Sequence, residues 1–295
     1  MPTAIRRFDF VQVDVFTSRP LEGNPLAVFT DARGLSDSEM RAVAREMNLS
    51  ETTFVLPGKN AVESATRVRI FTVEEELPFA GHPTLGTAFV LRKETGRQEI
   101  TLDLAAGKIP VTFREGNDGQ IFGEMRQRDP EFGTVHSAEA VALAAGLSLT
   151  DIDSSLPIQT VSTGVAFAVV PLRSLAAIRK MRLNWPRVAE YLDRSDSKFL
   201  YIVTRETVDP SARLHARMIF YNAEDPATGS AAGCTAAWMV RYKVVSPEEG
   251  AMIEQGLEIK RPSQIFVRAA LSGNRVVNVR VGGNTIEILR GQVFL

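Results

Sequence analysis

The sequence predicts an α+β protein of two similar halves in which strands predominate, and three observations carry that prediction. Segments of alternating apolar residues recur along the 295-residue chain. Between them lie stretches whose apolar residues fall on one helical face. The third observation is an internal echo: residues 76–81 read ELPFAG and residues 224–229 read EDPATG, so Glu, Pro and Gly recur at an offset of 148, almost half the chain. The offset holds at Thr87 and Thr235 and at Ala88 and Ala236, while Ile70-Phe71 matches Ile219-Phe220 at 149, one residue of slippage. Duplication accounts for the shared context, each copy delivering a strand, a tight loop and the start of an apolar helix.

The elements follow in order. Phe8, Phe10, Val11, Val13 and Val15 mark a strand, the turn-rich SRPLEGNP a loop, and Leu26 to Phe29 a returning strand. Ser36 and Glu39 stand at capping-box spacing, and Met40, Val43, Ala44 and Met47 share the face of the helix they open. Strands are expected over 52–56 and 67–72, then a glycine-containing loop turning into a small-residue helix across 79–92. In the second half, 137–145 reads as a short helix closed by Gly146, and 157–162 and 165–171 as strands on either side of Thr163-Gly164. Helical periodicity covers 175–181 and 185–192, strands 199–204 and 213–221, and a Gly/Ala-rich helix 229–241. Three closing strands, at 264–271, 275–281 and 285–289, are expected to be separated by Ser-Gly-Asn and Gly-Gly-Asn turns.

Composition narrows the function. Thirty-four Lys and Arg against 35 Asp and Glu leave a net charge of -1, with no electrostatic footprint for nucleic acid or an anionic membrane. Cys234 is the single cysteine, so no intrachain disulfide and no CxxC metal site can form. The three histidines, His82, His136 and His215, are far apart and lack HExxH spacing. Asp9 and Asp14 interrupt any signal-peptide core, and no run is long and apolar enough for a transmembrane helix, so a cytoplasmic setting is expected. No GxxxxGK[ST] occurs and no GxGxxG follows a strand.

Chemistry is expected where the echoed loops meet their helices. Gly81-His82-Pro83-Thr84 opens one helix and Thr228-Gly229-Ser230 the other, and helix starts carry unpaired N–H groups suited to a carboxylate or developing oxyanion. If the halves face one another, the two starts converge on a cleft fit for a small anion. The same glycines equally serve tight turns and close packing. His82 sits at the loop-to-helix junction, either as a site residue or as a satisfied structural histidine. Asp225 is as well read as a turn cap as a catalytic group, and Glu51, at the mouth of a strand, as an ordinary exposed glutamate. Cys234, among Ala and Gly, reads as a small buried filler.

Taken together, NPLAVF at 24–29, MNLSETTFV at 47–55, ELPFAGHPTLGTA at 76–88 and EDPATGSAA at 224–232 resemble the hallmark segments of the PhzF-like (phenazine biosynthesis) isomerase family. The resemblance spans nearly the whole chain in the expected order. It implies a diaminopimelate-epimerase-like fold: two pseudo-symmetric halves, each a curved, mostly antiparallel, barrel-like sheet around a central helix. The expected boundaries are 1–120, completed by the C-terminal strand 285–295, and 121–284. It further implies Glu51 as acid/base with His82 and Asp225 as its catalytic partners. Gly81, Gly229 and Ser230 match positions that contact substrate oxygens there, and Asn24, Ser50 and Thr228 are further substrate-binding candidates. The epimerases of this fold use two cysteines, so with Cys234 alone the proton chemistry passes to carboxylates.

The activity so implied is a cofactor-independent isomerisation, without metal, moving a proton between carbons of a small unsaturated or cyclic carboxylic acid. The family's phenazine enzyme does this to trans-2,3-dihydro-3-hydroxyanthranilate. Burial in the cleft is expected to raise the Glu51 carboxyl toward neutrality, making it an effective base. Two other readings are a carboxylate-based epimerase or racemase for an amino-acid-like substrate, and a non-catalytic protein binding a metabolite or partner. A homodimer is what the resemblance suggests.

Overall fold

The computed structural model describes residues 5–56, 65–116, 119–220 and 223–295. The chain divides into two compact units, Met1–Met125 with Gly282–Leu295, and Arg126–Val281. No helix among the described residues is long and apolar enough to cross a membrane.

The first unit contains β1 (Arg7–Val15), β2 (Asn24–Phe29), α1 (Asp37–Met47), β3 (Glu51–Leu56), β4 (Thr66–Phe71), β5 (Glu76–Leu77), α2 (Gly81–Thr95), β6 (Glu99–Leu104), β7 (Gly107–Glu115) and β8 (Ile121–Arg126). β1 pairs antiparallel with β2, β2 parallel with β3, β3 antiparallel with β4, and β4 parallel with β6. β6, β7 and β8 continue antiparallel. The C-terminal strand of the chain, Arg275–Phe294, pairs with both β8 and β1 and closes the ring at eight strands. α2 threads this barrel. Every residue from Gly81 to Arg92 is buried, as a helix apolar on all sides requires, and it touches β1, β2, β3, β6 and β7. α1 lies on the sheet, its Ser36 and Glu39 forming the capping box that the spacing predicts. Met40, Val43 and Ala44 press on Phe29, Phe54 and Phe71, whose rings pack at 5.1 and 5.5 Å.

The second unit contains β9 (Glu131–Val135), α3 (Ala138–Ala145), β10 (Gln159–Ser162), β11 (Ala166–Leu172), α4 (Leu175–Lys180), α5 (Trp185–Asp193), β12 (Phe199–Thr204), β13 (Leu214–Phe220), β14 (Ala223–Asp225), α6 (Gly229–Arg241), β15 (Ala251–Gln255) and β16 (Ser263–Ser272). Residue 221, the expected end of the 213–221 strand, lies outside the described residues. β9, β10 and β11 run antiparallel, β11 pairs parallel with β12, β12 antiparallel with β13, β13 parallel with β15, and β15 antiparallel with β16. α6 is the counterpart of α2, buried from Gly229 to Val240 and packed on β10, β11 and β16. α3, α4 and α5 cover β11 and β12 through Val141, Ile178 and Val188.

The echo is a true repeat of structure. β3 and β12, β4 and β13, and α2 and α6 each begin at an offset of 148. Ile70 faces Leu77 across the β4–β5 pair and Met218 faces Asp225 across β13–β14, so the register keeps the same offset. The expected slippage at Ile219-Phe220 is therefore a correction: Ile70 corresponds to Met218, and the match at 149 is a coincidence of residue type. The motif glutamates have a structural task. Glu76 takes a two-pronged hydrogen bond from Arg69 at 2.7 and 2.7 Å, and Glu224 takes the same from Arg217 at 3.0 and 2.6 Å. Each pair clamps a hairpin just ahead of its central helix.

A second correction concerns the tail. Arg275–Phe294, designated β17, is one 20-residue strand, and no turn falls at Gly282-Gly283-Asn284. A Cβ at Gly282 would lie 2.6 Å from the Gly123 carbonyl oxygen, so this glycine permits close strand approach where a turn is expected. The Ser272-Gly273-Asn274 segment does break the chain, with Gly273 at φ +60 between β16 and β17. β6 to β9 and β15 are strands that the sequence expectations leave unassigned.

Candidate active site

In the first unit, β2, β3 and α2 bring Asn24, Glu51 and His82 together. Asn24 is the first residue of β2 and Glu51 the first of β3, and these two strands are parallel neighbours, with Leu26 opposite Glu51. His82 is the second residue of α2. All three are buried, at 0, 6 and 3% exposure, so Glu51 is not the ordinary exposed glutamate that its local sequence allows. Asn24 Nδ2 lies 3.1 Å from His82 Nδ1, and His82 Nε2 lies 3.4 Å from Glu51 Oε2. Burial pushes the His82 imidazole down to about 3, so the ring is neutral near pH 7 and its contact with Glu51 is not an ion pair. With the Asn24 amide in this orientation its nitrogen only donates, so His82 Nδ1 accepts. The single ring proton then sits on Nε2, and this nitrogen makes no hydrogen bond, although Glu51 Oε2 is 3.4 Å away. Gly81 is buried beside His82, and Ser50 is half-buried just before β3.

The second unit gathers another set. Asp225 ends β14 and is buried, and Thr228, three residues on, donates its hydroxyl to Asp225 Oδ2 at 2.5 Å. Gly229 and Ser230 form the buried start of α6. Neither α2 nor α6 has a side-chain cap or an acidic residue in its first turn. Four other helices are capped, by Ser36, Ser137, Ser174 and Asn184. The starts of the two central helices thus keep the positive end of the dipole uncompensated by side chains.

Two glutamines that no motif marks support this set. Gln255, fully buried, donates to the Asp225 carbonyl at 2.8 Å. Gln127, 3% exposed, donates to the Gly229 carbonyl at 3.0 Å and accepts from Thr163 at 2.7 Å. A Cβ on Gly233 would lie 1.9 Å from Gln127 Oε1, so Gly233→Ala must expel that side chain from its hydrogen bonds. The expected cost is about 1–3 kcal/mol, read as a lower denaturant midpoint; an unchanged midpoint refutes it. Sequence patterning could not expose either glutamine, because each acts on a loop about a hundred or about thirty residues away in the chain.

The remaining sulfur and imidazoles are accounted for. Cys234 is fully buried, and burial raises its thiol to about 11, far from a usable thiolate. His136 accepts from the Tyr191 hydroxyl at 2.6 Å on Nδ1 and donates to Thr160 at 2.7 Å, and Thr160 donates to Asp196 at 2.6 Å. Its ring is satisfied on both nitrogens beside a cavity of about 460 Å³. His215 lies between Glu254 and Glu258 at 2.8 and 3.1 Å. These hydrogen bonds outweigh its desolvation and raise its pKa. Among the described residues no group of three or more His, Cys, Asp or Glu could hold a metal ion.

Residues 13–291 match the family of phenazine biosynthesis-like proteins, PhzC-PhzF. The chain belongs to that family. Among its relatives is the trans-2,3-dihydro-3-hydroxyanthranilate isomerase of Pseudomonas aeruginosa, 36% identical over 292 residues that cover 97% of this chain and 99% of the relative. Two solved structures share the fold over nearly full length. One is a PhzF-family protein of Bacillus anthracis, with a TM-score of 0.87 and 29% identity over 98% of this chain and 100% of the other. The other, from Pseudomonas aeruginosa, is described as a predicted epimerase, with a TM-score of 0.85 and 37% identity over 97% and 99% of the two chains. This PhzF-like chain is accordingly an isomerase of the family, on an α+β, strand-rich, barrel-like fold.

Proposed function

We propose that this isomerase moves a proton between carbons of a small unsaturated or cyclic carboxylic acid, of the type turned over by its Pseudomonas aeruginosa relative, with Glu51 as the acid/base. The observation that carries the reading is the buried Glu51 carboxyl, its Oε2 3.4 Å from Nε2 of a neutral, equally buried His82. A carboxylate can lift a proton from one carbon of a conjugated acid and return it to another on the same face. Asn24 keeps the ring proton of His82 on Nε2, 3.4 Å from Glu51 Oε2, where a small approach would let it donate to the carboxylate. Gly81 and Ser50 are the further substrate contacts of this reading beside Glu51, and Asp225, Gly229 and Ser230 are its candidates for the substrate's amino, hydroxyl and carboxylate groups. Charge that develops on the substrate carboxylate is stabilised by helix-start N–H groups. The step as written needs neither a metal nor an organic cofactor. A homodimer also belongs to this reading, and light scattering should return twice the 32.4 kDa chain mass.

An epimerase reading is favoured by the 37% identity to the protein described as a predicted epimerase. One experiment separates the possibilities. The protein is incubated in D2O with dihydro-anthranilate-type and amino-acid substrates, and each carbon is followed by NMR. Label at a shifted carbon supports isomerisation, and label at an unshifted stereocentre supports epimerisation. Binding without exchange of any substrate overturns catalysis and leaves a metabolite-binding protein.

A further inference from the structure

The grip on Asp225 has a direction. Gln255 and Tyr201 are both fully buried, and every hydrogen-bonding position of the Gln255 amide is filled. Its Oε1 accepts from the Tyr201 hydroxyl at 2.9 Å and from the Thr228 N–H at 3.2 Å. Its Nε2 donates to the Asp225 carbonyl at 2.8 Å and to Thr228 Oγ1 at 3.0 Å. A backbone N–H can only donate, and burial holds the Tyr201 phenol well above its ordinary 10, so it too stays a donor. Two donors on one side leave the amide a single orientation. Thr228 Oγ1, already accepting from Nε2, has one proton to give, and it points at Asp225 Oδ2 at 2.5 Å.

The same hairpin braces the loop backbone. Gln255 pairs with Ser263 across β15–β16, and Ser263 Oγ donates to the Pro226 carbonyl at 3.0 Å. Between them, Gly256 has φ +80, and a Cβ there would meet the Pro226 carbonyl oxygen at 2.6 Å. The loop from Asp225 to Thr228 is therefore seated on β15–β16 at its backbone and directed at its side chains.

We propose that Gln255 and Thr228 are positioning residues for Asp225: the chain from Tyr201 through Gln255 and Thr228 delivers one O–H to Asp225 Oδ2 and sets the orientation of its carboxylate. The proposal rests on the reading of Asp225 as a group that engages substrate. It gives Thr228 a task distinct from direct substrate contact, and it gives Gln255 a task that no sequence motif announces.

The test compares Thr228→Val, which keeps the shape and loses the hydroxyl, with Thr228→Ser, which keeps the hydroxyl, and with Gln255→Glu, whose carboxylate loses both donations made by the amide nitrogen. Crystal structures of folded variants should show the Asp225 carboxylate turned in Thr228→Val and in place in Thr228→Ser. An Asp225 side chain unmoved in Thr228→Val overturns the proposal, whatever the activity. Kinetics with trans-2,3-dihydro-3-hydroxyanthranilate supply the second arm. Thr228→Val and Gln255→Glu should each lose about 10- to 100-fold in kcat with a smaller change in KM, and Thr228→Ser should recover most of it. In an Asp225→Asn background Thr228→Val should cost little more, because it acts through the missing carboxylate. A full additive loss there means that Thr228 contacts substrate directly, and the positioning claim fails. If Asp225→Asn alone turns over as fast as wild type, it is the reading of Asp225 that falls.

Discussion

Glu51→Gln is expected to lower turnover by about 100- to 10,000-fold, the range in which a positioned acid/base contributes. The substitution keeps the volume of the side chain and an oxygen that can accept from His82 Nε2, which lies 3.4 Å from Glu51 Oε2. What it removes is the capacity to take and return a proton. Because Glu51 is 6% exposed and begins β3, a larger change would disturb the strand, and the isosteric amide isolates the chemistry. Glu51→Asp retains a carboxylate but withdraws it by about one carbon, and a misplacement of about 1 Å costs on the order of 100-fold. Steady-state turnover and deuterium exchange into substrate read both variants. Exchange by Glu51→Gln at the wild-type rate would remove Glu51 from the mechanism.

Acid is expected to loosen the protein through His82. Its folded-state pKa is pushed down to about 3 by burial, against an ordinary value of 6.5. Between those two values the unfolded chain binds the proton that the folded chain refuses, so stability rises with pH across the window. The contribution is fully present above 6.5 and is lost as pH falls toward 3. From pH 6.5 to 5 the loss amounts to about 2 kcal/mol, at 1.36 kcal/mol per pH unit. Urea titrations of wild type and His82→Gln at both pH values measure it as a difference between the two proteins. Equal acid sensitivity in both would show that His82 is already protonated in the folded state.

The scaffold was legible where local signals make it. Ser36 with Glu39, Ser137 with Gly146, and the two glycine-containing helix starts are short-range devices, and each marks an element that the structure contains. The repeat was legible because its glutamates are scaffold residues: Glu76 and Glu224 clamp Arg69 and Arg217. The candidate chemistry lies instead where the copies differ. At the offset of 148, Glu51 corresponds to Phe199, His82 to Ser230, and Asp225 to Leu77. Comparing the two halves therefore finds the frame and not the site, and the family's motifs were needed to point to those residues.

What escaped the sequence reading is long-range. Ile100, Leu102 and Leu104 alternate on β6, and Ile109, Val111 and Phe113 on β7, yet neither strand lies within the echo that organised the expectations. Gln255 reaches Asp225 because β13 and β15 are parallel neighbours, a pairing that skips β14 and the whole of α6. The Gly282-Gly283 pair looks like a turn in one dimension and becomes a strand once Gly123 is seen beside it.

The long strand β17 also sets an order of assembly. Only its first stretch, Arg275–Val281, belongs to residues 126–281, which are contiguous in the chain, whereas Gly282–Leu295 completes a unit otherwise made of residues 1–125. β1 finds its partner from Thr285 to Phe294, nearly three hundred residues downstream. During synthesis the second unit can therefore close while the first still exposes the open edges of β1 and β8. A nascent chain stalled before residue 282 would carry an unsealed barrel, a ready target for chaperones and for edge-to-edge association.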